Sequence, residues 1–252
     1  MDPDDTGGGA VDAEVAGGAV DAEVGVVLVH GLWHGGWAWD SVRDHLSAAA
    51  VPSVAVELPM TSLEADVDAT IRALDSFDRP AVLVGHSYGG AVITAAGVHP
   101  RVRHLVYLAA FQLDEGESIG RTLPELDFPR TRLSDAIRFS ETSDEVSLDK
   151  DLAVAAMYAD ATPAIAAAAV ARLRPAHRAV FSGVPAAFAW RQRPSTFIVC
   201  ADDQTVHPDL QRAMADRATY THELPCGHSP AAVCPDDVAE LILAVIRPSV
   251  HQ

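Results

Sequence analysis

From Val24 onward, short runs of β-branched and aliphatic residues alternate with stretches in which apolar positions recur every three or four residues. The first pattern suits strands buried on both faces and the second suits helices with one face on a core. Their alternation predicts an α/β fold, a doubly wound, mostly parallel sheet covered by helices on both sides. The predicted strands are Gly25 to His30, Ser53 to Leu58, Ala81 to Gly85, His104 to Ala109, Thr196 to Cys200 and Thr219 to Leu224. The predicted helices are Ser41 to Ala50, Leu63 to Leu74, Gly90 to Val98, Pro208 to Arg217 and Pro235 to Ile246.

The alternation lapses between Phe111 and Arg193, where charged turns and an Ala-rich helix at Thr162 to Leu173 appear with no convincing strand. About 80 residues are too many for an ordinary loop and suit a lid over the carboxyl ends of the strands. A helical cap is therefore predicted at 112–192, inserted into a core made of 24–111 and 193–252. Ahead of the core, Gly-Gly-Ala-Val-Asp-Ala-Glu-Val occurs at 8–15 and again at 17–24. Without large apolar groups, residues 1–23 are expected to form a flexible acidic tail.

Composition narrows the partners. The 252 residues are 49% hydrophobic and 21% charged, enough apolar material to fill a core without metal or disulfide staples. Asp and Glu number 35 against 18 Lys and Arg, a formal charge of −17 that repels phosphate backbones and anionic membranes. Neither nucleic acid nor a membrane is an expected partner, whereas a homodimer is compatible with the sequence. Three cysteines, Cys200, Cys226 and Cys234, form no dense framework and favour free thiols in a reducing compartment, although Cys226 and Cys234 could pair. With no basic segment followed by an apolar stretch at the start, and no apolar run of about 18 residues later, the chain reads as cytoplasmic.

The chemistry is concentrated at a few turns. Ala81-Val82-Leu83-Val84 leads into Gly85-His86-Ser87-Tyr88-Gly89-Gly90 and then into an apolar helix. A serine at such a strand-to-helix turn sits in a strained conformation with its hydroxyl projecting. Glycines two residues to either side remove side chains that would clash where strand and helix nearly touch. Ser87 is thus the candidate nucleophile. Its hydroxyl needs an imidazole to take its proton, and the imidazole needs a carboxylate on its far nitrogen. His228 follows the Thr219 to Leu224 strand, and Asp203 follows the Thr196 to Cys200 strand. Asp202 and Asp114 are the alternative acids, read as solvated loop carboxylates.

The first strand ends in Val29-His30-Gly31-Leu32-Trp33-His34-Gly35-Gly36-Trp37, a glycine-rich turn able to point backbone amides inward. The amides of Leu32 and of Tyr88, the residue after Ser87, would hold an oxyanion. His30 reads as a turn-stabilising group. Trp33, His34 and Trp37 would line the substrate pocket, with core packing equally compatible. No metal is expected, because neither His30 nor His34 has a partner at ligand spacing.

These segments, with Cys-Ala-Asp-Asp-Gln-Thr-Val at 200–206 and Gly-His-Ser-Pro at 227–230, resemble the α/β-hydrolase superfamily. The likeness is to its small-cap branch of plant methylesterase and hydroxynitrile lyase relatives and their bacterial counterparts, over about Val24 to Pro248. The resemblance implies a cap at 112–192, Ser87, Asp203 and His228 as the triad, and no cofactor. Branches with an aspartate nucleophile are disfavoured by Ser87. The lyases carry Thr where this chain has Gly31, and Lys where it has Ser229, which argues against cyanohydrin cleavage. The expected reaction is hydrolysis of a small or medium carboxylic ester or lactone through an acyl-enzyme. Non-hydrolytic use of the same machinery by a cyclase, eliminase or acyl transferase, and a hydrolase-like ligand receptor, are the alternatives.

Overall fold

The computed structural model describes residues 23–247, so the tail expected at 1–23 lies, but for its last residue, outside the described residues. In chain order the core begins with β1 (Gly25–Val29), α1 (Asp40–Ala48), β2 (Ser53–Val56), α2 (Leu63–Ser76), β3 (Ala81–His86), α3 (Gly89–Ala96) and β4 (Val102–Leu108). The insertion holds α4 (Leu133–Ala136), β5 (Ile137–Phe139), β6 (Glu145–Leu148), α5 (Lys150–Met157), α6 (Pro163–Ala171) and β7 (Ala176–His177). The core resumes with β8 (Ser195–Cys200), α7 (Pro208–Ala215), β9 (Tyr220–Leu224), α8 (Pro230–Val233) and α9 (Pro235–Ile246).

Strands β2-β1-β3-β4-β8-β9 form one sheet in that order, every neighbouring pair parallel. Because successive side chains on a strand point to opposite faces, the continuous apolar runs divide between two cores. Val27, Val29 and Leu83 pack on one side with Leu63 and Leu74 of α2 and with α3. Val26, Leu28, Val82 and Val84 pack on the other with Val42 and Leu46 of α1 and Val238 and Ile242 of α9. From β1 the chain moves outward to β2 and then returns across β1 to β3. The connections leaving β1 and β3 consequently diverge, opening the crevice in which sheets of this kind bind ligands.

The insertion corrects one expectation, since β5, β6 and β7 form a three-stranded antiparallel sheet where no strand was predicted. These strands are two to four residues long and bury only Val146 and Ala176, without the apolar run that marks a core strand. Val146 also pairs with Ala176, thirty positions away, a partner that no local pattern reveals. The cap is tied down at its start, where both guanidinium nitrogens of Arg217 donate to Glu117 at 2.7 Å and one also reaches the Gln112 carbonyl at 2.6 Å. Among the described residues no helix is long and apolar enough to cross a membrane.

Candidate active site

Ser87 sits between β3 and α3 with φ 53°, in the left-handed region that non-glycine residues seldom occupy. Its backbone is fastened on both sides, the amide donating to the Leu108 carbonyl at 3.1 Å and the carbonyl accepting from Gly90 and Phe111 at 3.0 and 3.1 Å. Such over-determination is what lets a conformation costing ~1–3 kcal/mol persist. The flanking glycines are sterically required: a Cβ on Gly85 would lie 2.5 Å from the Gly89 carbonyl oxygen, and one on Gly89 would lie 2.5 Å from that of Val29. All eight residues of α3 are buried, so the turn cannot relax by swinging the helix outward.

Strands β8 and β9 carry the acid and the imidazole to the same edge of the sheet. His228 Nδ1 lies 2.7 Å from Asp203 Oδ2, both side chains fully shielded from solvent. The same carboxylate accepts from the amides of Thr205 and Val206 at 2.6 and 3.0 Å and from Gln211 Nε2 at 2.8 Å. With Nδ1 donating to the carboxylate, Nε2 is the free base nitrogen. It is buried with no hydrogen-bond partner among the described residues, and no bond joins it to Ser87 Oγ. Catalytic hydrogen bonds of this kind are commonly loose until substrate is bound. Asp202 is exposed, and Asp114 is paired with Arg191, so neither alternative acid meets His228.

The turn after β1 is held open by its own side chains and by the cap. His30 Nδ1 donates to the Gly31 carbonyl at 2.8 Å while Nε2 accepts from the Leu58 amide at 3.1 Å. His34 Nδ1 donates to the Leu32 carbonyl at 2.7 Å, and Nε2 accepts from the Tyr158 hydroxyl at 2.6 Å. Arg174 of the cap donates to the carbonyls of Trp33, His34 and Leu58 at 2.8 to 2.9 Å. Gly31 lets this turn approach the elbow, since a Cβ there would stand 3.0 Å from that of Ser87. The amides of Leu32 and Tyr88 donate to no acceptor among the described residues. The Tyr88 side chain points elsewhere, its hydroxyl donating to buried Asp66 of α2 at 2.6 Å.

Burial keeps these imidazoles neutral, lowering the pKa of His30 to about 3 and of His34 to about 4 against an ordinary 6.5. Below pH 6.5 the unfolded chain takes up protons that the folded one refuses, so stability present at neutral pH is lost on acidification. The loss is ~1.4 kcal/mol per pH unit for each histidine down to its folded pKa. Asp66 acts with the opposite sign, because burial raises its pKa and the folded state retains a proton longer than the unfolded chain does. His86 and His104 are lowered by burial in the same way, so the expected result is that the unfolding free energy from urea titration falls by several kcal/mol between about pH 7 and about pH 5, less the part Asp66 offsets. An unchanged value would show that these buried histidines are not held neutral.

The residues expected to line the pocket are divided between two cavities. Trp33 lies with Ser87, Leu32 and Tyr88 along a cavity of about 740 Å³ roofed by the cap. His34 and Trp37 line a separate cavity of about 280 Å³, with Tyr158 and Ser229. Trp33 also joins core to cap, its Nε1 donating to the Val146 carbonyl at 3.0 Å.

Several groups that support the site were not anticipated. Gln211 of α7 is fully buried, donating to Asp203 and accepting from the Cys200 amide at 2.9 Å. His86 Nε2 donates to the His228 carbonyl at 2.7 Å, and Asp160 of the cap accepts from the Gly227 amide at 2.6 Å. The one available signal was the position of His86 inside the elbow. Cys226 and Cys234 are both free, with Cys226 Sγ 3.5 Å from Cys200 Sγ. Among the described residues no group of three or more His, Cys, Asp or Glu side chains could hold a metal ion.

A parallel sheet with a serine elbow after one strand and a buried Asp–His pair after two later ones defines an α/β-hydrolase fold. The solved pyrethroid hydrolase from Sphingobium faniae JZ-2 shares it, with a TM-score of 0.76 and 21% identity over 90% of this chain and 98% of that one. The chain belongs to the alpha/beta hydrolase family, whose profile matches residues 26–241. It is 29% identical over 240 residues to alpha/beta hydrolase nvfD of Aspergillus novofumigatus (strain IBT 16806), covering 86% of this chain and 94% of the relative. Methylesterase 7 of Arabidopsis thaliana is 38% identical over 106 residues, 35% of this chain and 40% of its own length. The chain is accordingly an enzyme of the hydrolase class, related to plant methylesterases and bacterial esterases.

Proposed function

We propose that this enzyme is a serine esterase that cleaves a small or medium carboxylic ester or lactone through an acyl-enzyme on Ser87. The observation that carries the reading is the convergence of three things: a strained serine opening into a cavity, a buried imidazole oriented by Asp203, and two amides without acceptors. His228 Nε2 takes the hydroxyl proton as Ser87 Oγ attacks the carbonyl carbon. Asp203 holds the tautomer and stabilises the imidazolium that forms. The oxyanion is received by the amides of Leu32 and Tyr88, each such donor typically worth about a hundredfold or more in rate. The alcohol leaves with the proton from His228, and water, deprotonated by the same nitrogen, then releases the acid. A reducing, cytoplasmic setting fits the three free thiols.

The test is turnover of p-nitrophenyl esters of increasing acyl length, with the reaction quenched in acid and the acylated peptide located by mass. The acyl group is expected on the peptide holding Ser87. An acyl group on another residue, or steady release of p-nitrophenol with no acylated peptide, overturns the reading.

A further inference from the structure

The walls of the Ser87 cavity depart from the charge balance of the chain. Acids outnumber Lys and Arg by 35 to 18 overall, yet no Asp or Glu lines this cavity, whereas Arg121 and Arg130 do. Among the described residues neither arginine has a carboxylate partner. Both are exposed and lie on the stretch of cap that follows β4. Much of the remaining wall is apolar, with Phe111, Ile119, Phe128 and Phe181 beside Thr131, Ser134, Thr205 and His207. The arrangement is a largely apolar chamber with two solvent-exposed guanidinium groups on its wall.

We propose, resting on the serine-esterase reading, that the acyl half of the substrate is an apolar chain or ring ending in a carboxylate, received by Arg121 and Arg130. The acyl half stays on Ser87 after the alcohol departs, so the cavity into which Ser87 opens must hold it. The product is then a dicarboxylic acid. A guanidinium offers a planar fork of donors matched to a carboxylate and stays charged at any working pH. The net charge of −17 repels anions from the molecule as a whole, so any preference for an anionic ester has a local origin.

The experiment compares kcat/KM for the mono-p-nitrophenyl ester of suberic acid with that for p-nitrophenyl octanoate. The ratio is expected to exceed unity in the wild-type enzyme and to decline with added salt, which screens exposed charges. In the double variant Arg121→Gln/Arg130→Gln the ratio is expected to fall about tenfold, the scale of two exposed ion pairs. The double lysine variant should restore most of it. Octanoate turnover reports in the same samples that each variant is folded. A wild-type ratio below unity, or a ratio unmoved by the glutamines, overturns the proposal. If octanoate still acylates Ser87 in that case, the esterase reading stands and only the carboxylate preference is lost. If neither ester acylates Ser87, the esterase reading fails with it.

Discussion

Replacing Ser87 by alanine is expected to lower kcat for a p-nitrophenyl ester on the order of a million-fold, leaving the weak catalysis that amides and binding alone provide. The change removes one oxygen from a buried residue and keeps a side chain at φ 53°, so the strain and the fold remain. A thermodynamic arm accompanies the kinetic one. Ser87→Gly also removes the nucleophile but relieves the left-handed conformation, and is expected to melt a few degrees higher than Ser87→Ala while being equally inactive. Turnover by the alanine variant within about a hundredfold of wild type would remove Ser87 from the chemistry.

Asp203→Asn is expected to cost about ten-thousand-fold in kcat with the fold intact. The hydrogen bonds around the carboxylate dictate how asparagine must sit. Oδ1 accepts from the amides of Thr205 and Val206, so the asparagine oxygen is required there and its NH2 falls at the Oδ2 position. That position faces His228 Nδ1 and Gln211 Nε2, which both donate to Asp203. An NH2 group meeting Nδ1 forces the imidazole into the tautomer with its proton on Nε2, and a protonated Nε2 cannot take a proton from Ser87. The same substitution at Asp202, which is exposed, or at Asp114, which is paired with Arg191, is expected to leave kcat within about twofold, since neither touches His228. Activity lost at either of those positions and kept at Asp203 would show that the acid has been misassigned.

Gln211 illustrates why part of this site is invisible in the sequence. It lies eight residues beyond Asp203 on a helix whose spacing marks a buried face but not which buried group aims at a carboxylate. Arg174 is similar: its bonds to the carbonyls of Trp33 and His34 link a cap residue to the turn after β1 across 140 positions. Trp33, His34 and Trp37 form one local cluster in the sequence, yet the chain turns through positive φ at Trp33 and sends it to a different cavity from the other two.

The core strands, every core helix but the four-residue α8, the elbow at Ser87 and the chain order of serine, acid and histidine were determined by sequence alone. Each depends on local rules: the periodicity of burial, the steric need for Gly85 and Gly89, and the position of a loop after a strand. The tertiary structure decided that Asp203 rather than Asp202 or Asp114 meets His228. It also decided that the cap carries its own sheet and that the pocket divides in two. Those outcomes rest on contacts between segments 25 to 140 residues apart, such as Asp203 with His228, Val146 with Ala176 and Arg174 with His34, and leave no imprint on local hydrophobic pattern. Long-range pairing is settled by which side chains share space after folding, and a local period carries no record of that.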